Sequence, residues 1–457
     1  MRSLYQLLFA IVLIMSTSVS AFSSEQYEAT SAELVIVNIA DLHSAYDNYP
    51  YLLQGIQDLS ARHGKDNLVT LINGDIFEYG NVVARHSSGE ADWLFLQKLQ
   101  EHSRVILNLG NHEFDFQSPT EFIERAEATG IHVIGNIGTT DDPYLAPPFI
   151  DVEVADTKVR IIGIATSTIN TYPPEYRESL VIPNAAAWFS ENFTELGGQA
   201  AHVIIASHAG IHDDRQILEQ IKPDDDVLFM VGGHNHLVLR ESVNGIDYHQ
   251  NGLKGERLSI ASLRWSNDAI EVDLRIIDVE TLQGQDGSMA AEIRRLRQQY
   301  LGEQQLEVIG QVARNKSLPE AALWAVDALR EKSNADLAVL NHTSFGSGLS
   351  AGELKRYRFD EFVRFDNEVM VAEIDGKTLE SILAKANQHR YPSIENRSGD
   401  FLYANDIEID PESTYQLATS AWIADSANQV RYLGVELPFE KLSDLTTKGL
   451  LIEALNR

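Results

Sequence analysis

Nine side chains of the kinds that hold divalent metals or move protons fall at five places in this 457-residue chain. Asp41 and His43 close "VNIADLH", and Asp75 follows "LING". Asn111, His112 and Asp115 stand in "NLGNHEFDF". His208 ends "IIASH", and His234 and His236 end "VGGHNH". Singly, each has an ordinary explanation. D-x-H is most often a turn, H-x-H after glycines a solvated loop, and Asp after Asn-Gly a turn residue. Asn111 could be a helix N-cap. Glu113 could be a first-turn charge that complements a helix dipole, and for Glu113 that reading is preferred. Jointly, five apolar runs each ending in nitrogen or oxygen donors are hard to ascribe to chance, because leaving such groups buried and unpaired costs several kcal/mol. Seven of them, Asp41, His43, Asp75, Asn111, His208, His234 and His236, give two carboxylates, one amide and four imidazoles. If one carboxylate bridges, each of two divalent cations gets four protein donors and keeps room for water. Paired ions about 3.5–4 Å apart clamp the attacking and leaving oxygens of an in-line displacement and bring hydroxide within reach at neutral pH. Mixed imidazole and carboxylate donors suit Mn, Zn, Fe or Co without selecting among them.

Such donors have to be carried by elements that converge. From Glu33 to about Glu280, short apolar runs alternate with helical patterns: "ELVIVNIA", "NLVTLING", "RVILNLGN", "HVIGNI", "VRIIGIAT", "HVIIASHAG" and "VLFMVGGH". Each is bounded by Gly, Asn, Asp or Ser, as buried strands are. Alternation with helices predicts an α/β layer fold, and in such sheets ligands lie beyond the carboxyl ends of the strands. "QGQDGS" at Gln283–Ser288 breaks the pattern, and the charged helical stretch "MAAEIRRLRQQYL" follows as a linker helix. A second set of alternating elements begins near Glu307.

The totals set limits. The length argues for two domains. A net charge of −31 excludes a nucleic-acid backbone as partner, since no basic surplus exists to displace counterions. An anionic small substrate would need metal ions or local arginines to offset that field. The chain has no cysteine, which excludes disulfides, thiolate metal sites and a lipoprotein anchor. Residues 1–21 read as a signal peptide: Arg2, an apolar run from Leu7 to Met15 too short to span a bilayer, and the small residues Val19-Ser20-Ala21. The expected location is periplasmic or secreted, with no membrane anchor after cleavage.

In order, D-x-H, G-D, G-N-H-E, S-H and G-H-x-H resemble the calcineurin-like metallophosphoesterases. With "GNHEFD" and a following second domain, the chain resembles the periplasmic 5'-nucleotidase and UDP-sugar hydrolase branch. The resemblance implies an N-terminal sandwich of two mixed sheets flanked by helices (33–280), a linker with a helix (281–305) and a smaller α/β C-terminal substrate domain (306–457). It implies that Asp41, His43, Asp75 and His236 hold one metal and Asp75, Asn111, His208 and His234 the other, with Asp75 as bridge. It also implies that His112 is no ligand but acts on the phosphoryl or leaving oxygen, its ring oriented by Asp115. His63, His86, His132, His202 and His389 lack this context.

The second-domain resemblance is uneven. "ADLAVLNHTSFGSGLSAG" resembles a family segment that reads N-x-G-G-I-R. Asn341 is kept, Thr343 and Ser344 stand at the glycines, and Gly346 stands at the arginine. A second family arginine aligns near Asn315. In the family such arginines hold the substrate phosphate bidentately. "VRFDNEV" resembles P-F-x-N, with Phe365 and Asn367 in place and Arg364 at the proline. Trp422 in "LATSAWIAD" matches a second aromatic, while "SANQVRYLG" replaces the family's G-G-D-G-Y. Two such rings can sandwich a base, although core packing is as good a reading of each. Arg364 is expected either to replace the missing arginines or to be a solvated surface residue, and it reaches the site only if its stretch is a loop. The implied function is hydrolysis of a phosphate ester, foremost a nucleoside 5'-monophosphate or related nucleotide, by metal-bound hydroxide in a monomeric enzyme. The alternatives are a phosphodiesterase or other phospho- or sulfohydrolase on the same metal core, and a binding protein without turnover.

Overall fold

The computed structural model describes residues 33–154, 157–197, 202–266, 269–391 and 397–455. The proposed signal peptide lies outside them. Among the described residues no helix is long and apolar enough to cross a membrane.

All seven apolar runs are strands, but they divide between two six-stranded sheets. In the first sheet Glu33–Ile39, Leu68–Asn73, Arg104–Asn108 and His132–Ile134 run parallel, and Arg257–Ser266 and Ala269–Asp278 extend it antiparallel beside Glu33–Ile39. In the second, Thr157–Ala165, His202–His208, Val227–Gly232 and Ile246–Asn251 are parallel, with antiparallel strands Phe149–Val154 and Val238–Val243 at its edges.

Alternation along each strand builds the layers. Side chains of successive strand residues point to opposite faces. In Glu33–Ile39, Leu34 and Ile36 enter the core between the sheets, where they join Val69, Leu71, Ile106, Ile161, Ile204, Phe229 and Val231. Val35, Val37 and Ile39 face the other way, into a core shared with the helices Tyr49–His63, Glu90–His102 and Pro119–Ala128. Both faces are apolar because both are covered, which is why these strands read as continuous hydrophobic runs. The charged stretch after Ser288 forms the helix Gly287–Tyr300. Its Met289, Ile293 and Leu296 are buried in that same core, so it packs on the first sheet's helices along its length.

The C-terminal part holds a five-stranded sheet ordered Leu402–Ala404, Leu337–Asn341, Thr414–Ser420, Glu368–Asp375, Glu440–Thr446. The helices Leu318–Ser333 and Thr447–Leu455 cover one face. That core runs on through Phe345 and Phe401 to Ile211 and Ile217 of the first part, so one apolar cluster spans both.

A candidate dinuclear metal centre

Each donor sits at or just past the carboxyl end of a strand, and the five strands come from both sheets. Asp41, Asp75 and Asn111 follow strands of the first; His208 closes one in the second, and His234 and His236 follow another. Two asparagines hold the strand ends together. Asn108 Nδ2 donates to Asn73 Oδ1 (2.9 Å), to Ile164 O (3.1 Å) and to Ala206 O (3.0 Å), and Asn73 Nδ2 donates to Ser207 O (2.9 Å). The loops after the first two strands are zipped by His43 N to Asp75 O (2.9 Å) and Ser44 N to Ile76 O (2.8 Å).

Asp41, His43, Asp75, His234 and His236 all take left-handed backbone angles, with φ between 45° and 73°. For non-glycine residues such angles cost of order 1–3 kcal/mol each and persist where the surroundings over-determine them. They turn the chain sharply after each strand, so that donors two residues apart face one point. Gly74, at φ 78°, lies so close to the His208 ring that a Cβ there would collide with it.

The donors form two overlapping groups: Asp41, His43, Asp75 and His236, and Asp75, His208 and His234. Asp75 alone belongs to both. Its Oδ1 accepts from the backbone N–H groups of Asn111 (2.8 Å) and His112 (2.9 Å). Its Oδ2 is left to face His208 Nε2 at 3.1 Å and His43 Nε2 at 3.7 Å. Asn111 joins the second group through its Oδ1, 2.9 Å from His234 Nδ1. No helix begins at Asn111, so it caps none; the next helix starts at Pro119 under a Ser118–Glu121 capping box.

Protonation tests whether a cation fits. His208 Nδ1 donates to Asn73 O at 2.7 Å, so in the neutral ring Nε2 is a lone pair. That nitrogen is fully buried and faces the oxygens of Asp75 and Asp41; burial lowers the His208 pKa, but Asp75 and then Asp41 raise it to about 10, so a proton holds the position that a divalent ion would take. His43 Nδ1 faces Phe77 O at 3.3 Å, which turns its Nε2 to within 2.9 Å of His236 Nε2. Burial, then the Arg364 guanidinium, holds both of those imidazoles well below their usual pKa. Burial pushes the Asp41 carboxyl up, whereas Asp75 is held down against its burial by His208. Lone pairs and carboxylates converging in a dry pocket are mutually repulsive until cations sit among them. The donor set fits two divalent ions.

His112 lies beside this centre, its ring 5.0 Å from that of His43. Its Nδ1 is 2.8 Å from Asp115 Oδ2. Burial alone would lower the His112 pKa, but Asp115 and then Asp75 raise it to about 9.

Glu113 corrects the sequence reading. It is no solvated first-turn charge: it is buried, and it accepts from Ile76 N (2.9 Å) and Gly110 N (2.7 Å), tying together the loops that carry Asp75 and Asn111. Its partner at Ile76 is remote in sequence, so nothing local marked it. Glu78, also buried, was missed for the same reason.

The second-domain residues spread differently. Arg364 is not a surface residue. It lies in a loop, is 9% exposed, and its Nη2 stands 2.7 Å from Glu78 Oε2. Phe365 and Trp422 are exposed at 48% and 39%, so neither is a core ring; Phe365 lies under the Arg364 guanidinium at 5.3 Å. Asn341 spends its side chain on its own turn, donating to Thr343 Oγ1 and accepting from Ser344 Oγ. Asn367 holds the C-terminal helix through its carbonyl, which accepts from Thr447 N (2.7 Å) and Thr447 Oγ1 (3.0 Å). Asn315 Oδ1 accepts from Ala351 N.

Comparison with known proteins agrees with this geometry. Residues 34–238 match the family model for calcineurin-like phosphoesterases, and residues 308–433 match that for the 5'-nucleotidase C-terminal domain. The chain is a calcineurin-like phosphoesterase with a 5'-nucleotidase C-terminal domain. That makes it a metal-dependent phosphoester hydrolase with a dinuclear divalent centre, whose metal identity is open. A Bacillus subtilis protein described as an uncharacterized metallophosphoesterase is 22% identical over 335 residues, covering 71% of this chain and 70% of its own. A 5'-nucleotidase precursor from Thermus thermophilus shares the fold at a TM-score of 0.66 and 18% identity, covering 93% of this chain and 96% of that one. A sulfate thiohydrolase from the same organism shares it equally, at 0.66 and 13% identity, covering 94% and 95%.

Proposed function

We propose that this phosphoesterase hydrolyses phosphate esters of nucleotides or related small molecules at the paired site, as a periplasmic or secreted monomer. The proposed division puts the metal site in 33–280, joined through 281–305 to a substrate-facing domain in 306–457. The observation that carries the reading is Asp75: one carboxylate oxygen shared by two donor groups, with a carboxylate-oriented imidazole alongside.

In this reading Asp41, His43, Asp75 and His236 hold one divalent ion, and Asp75, Asn111, His208 and His234 hold the other. When bound, the pair supplies Lewis acidity and a lowered pKa for water. The chain's own residues do the rest. Asp115 accepts the Nδ1 proton of His112, fixes the ring and favours its protonated form, so that Nε2–H can donate to a phosphoryl or leaving oxygen. Glu113 holds the Asp75 and Asn111 loops at a fixed spacing. Phe365 and Trp422 offer faces for a base, and Asn341 and Asn367 shape the loops on either side of Arg364, which supplies a guanidinium for an anion.

The test is Asp75→Asn. Metal analysis should find fewer than two ions per chain, and phosphate release from nucleotides and nitrophenyl esters should fall to near background. Two tightly held ions with normal rates in this variant would remove Asp75 as the bridge.

A further inference from the structure

The second domain lends the site two arginines, and each has its charge cancelled. Glu78 Oε2 lies 3.6 Å from His43 Nδ1 and 2.7 Å from Arg364 Nη2, which places the guanidinium beside the metal ligands. Arg431 is ion-paired with Asp400, whose neighbour Gly399 packs against Asn235 between His234 and His236.

Arg364 arrives by an unusual route. Gly346 stands where the related segment carries arginine, and a Cβ on Gly346 would lie 3.0 Å from Arg364 Cγ and 3.2 Å from Cδ. The Arg364 stem therefore fills the space that a side chain at 346 would enter. The loop is fixed there by Arg364 N to Ser344 O (3.0 Å) and Gly346 N to Phe362 O (2.9 Å).

At the tip, Nη2 is 2.7 Å from Glu78 Oε2, and Glu78 is 3% exposed. Neither atom makes an aligned hydrogen bond, and Arg364 Nε makes none. A buried guanidinium with unmet donors is poised for one more acceptor. Its charge, however, is already balanced, and removing a buried partner exposes the full charge of the other.

We propose that Glu78 is a specificity-determining residue: by neutralising Arg364 it sets the site for singly charged esters, of phosphodiester type, over dianionic monoesters. This rests on the phosphoester reading above and narrows it. The unmet donors of Arg364 give one anionic oxygen its hydrogen bonds. Glu78 then repels the second negative charge that a monoester carries above its second pKa.

The experiment compares the metal-loaded wild type with Glu78→Gln, Glu78→Asp and Arg364→Gln at pH 8. Binding of phenylphosphonate, a dianion, and its monomethyl ester, a monoanion, is measured by calorimetry. Hydrolysis of p-nitrophenyl phosphate and bis(p-nitrophenyl) phosphate is measured beside it. Wild type and Glu78→Asp should favour the monoanion in both assays. Glu78→Gln should move the preference toward the dianion by at least about tenfold, the scale of one unit charge within several ångström at a protein-like dielectric. Arg364→Gln should weaken both ligands, and the dianion more. Unchanged preference in Glu78→Gln, or a wild type that favours the dianion, overturns the assignment. A shifted binding ratio with no hydrolysis of either ester supports it and overturns the hydrolase reading instead.

Discussion

Asp75 divides its two oxygens between backbone and site. Oδ1 is fixed by the N–H groups of Asn111 and His112, and that leaves Oδ2 free to face two histidines. His112 is held in turn by Asp115, so it owes its place to a carboxylate outside the metal donors. His112→Asn should therefore keep both metals and lose kcat by about 10²–10⁴ on esters with poor leaving groups. The loss should shrink for p-nitrophenyl phosphate, whose leaving group needs no proton. Equal losses on both substrates would leave phosphoryl stabilisation as the role of His112. The nine side chains were legible because each stands at or just after an apolar run in one continuous stretch. Glu113 and Glu78 were not. Glu113 is explained by Ile76, and Glu78 by an arginine in the other domain. Arg364 could be noticed as a departure from its motif, but its burial depends on a contact with Gly346 that only folding creates.

At the scale of elements, the site depends on two sheets ending in register. Asn108 sends its amide to acceptors on three other strands. Asn108→Ala should cost about 1–3 kcal/mol, the penalty for buried acceptors left without their donor. Thermal unfolding in the metal-loaded protein should begin several degrees lower; an unchanged midpoint would mean the stitch is dispensable. The helix Glu90–His102 carries a second testable group. Asp92 is buried and accepts from Tyr46 OH (2.8 Å) and Tyr49 OH (2.6 Å), yet burial outweighs those bonds and pushes its pKa up to about 7. The folded value lies above the unfolded 3.8, so this group's contribution is fully present below about pH 4 and is lost as pH rises to about 7. Denaturant melts of Asp92→Asn should gain on wild type across that window and run parallel to it above. A difference independent of pH would place the Asp92 proton elsewhere. The parallel strands were readable because both their faces are apolar. The hairpin of Val238–Val243 and Ile246–Asn251 was not, although its second strand runs parallel to Val227–Gly232, since "VLRESV" and "IDYHQN" mix polar and apolar residues and pair only after the chain turns back.

Over the whole molecule, a net charge of −31 is set against a pocket that gathers Asp41, Asp75, Glu78 and Glu113 out of water, with Asp115 partly exposed beside them. Arg358 and Arg297 both pair with Asp47, and Arg364 with Glu78, so basic side chains from the helix Gly287–Tyr300 and from the C-terminal part close onto acidic groups of the N-terminal part. Bound divalent ions then stabilise the fold as well as the reaction. Stripping with a chelator should lower the unfolding temperature, and Mn or Zn should restore it. The central claim is that two ions share Asp75, and anomalous diffraction from a crystal grown with manganese tests it most directly. The account predicts two peaks about 3.5–4 Å apart, one among Asp41, His43 and His236, the other among Asn111, His208 and His234, with Asp75 between them. A single peak, or a pair not bridged by Asp75, would contradict it.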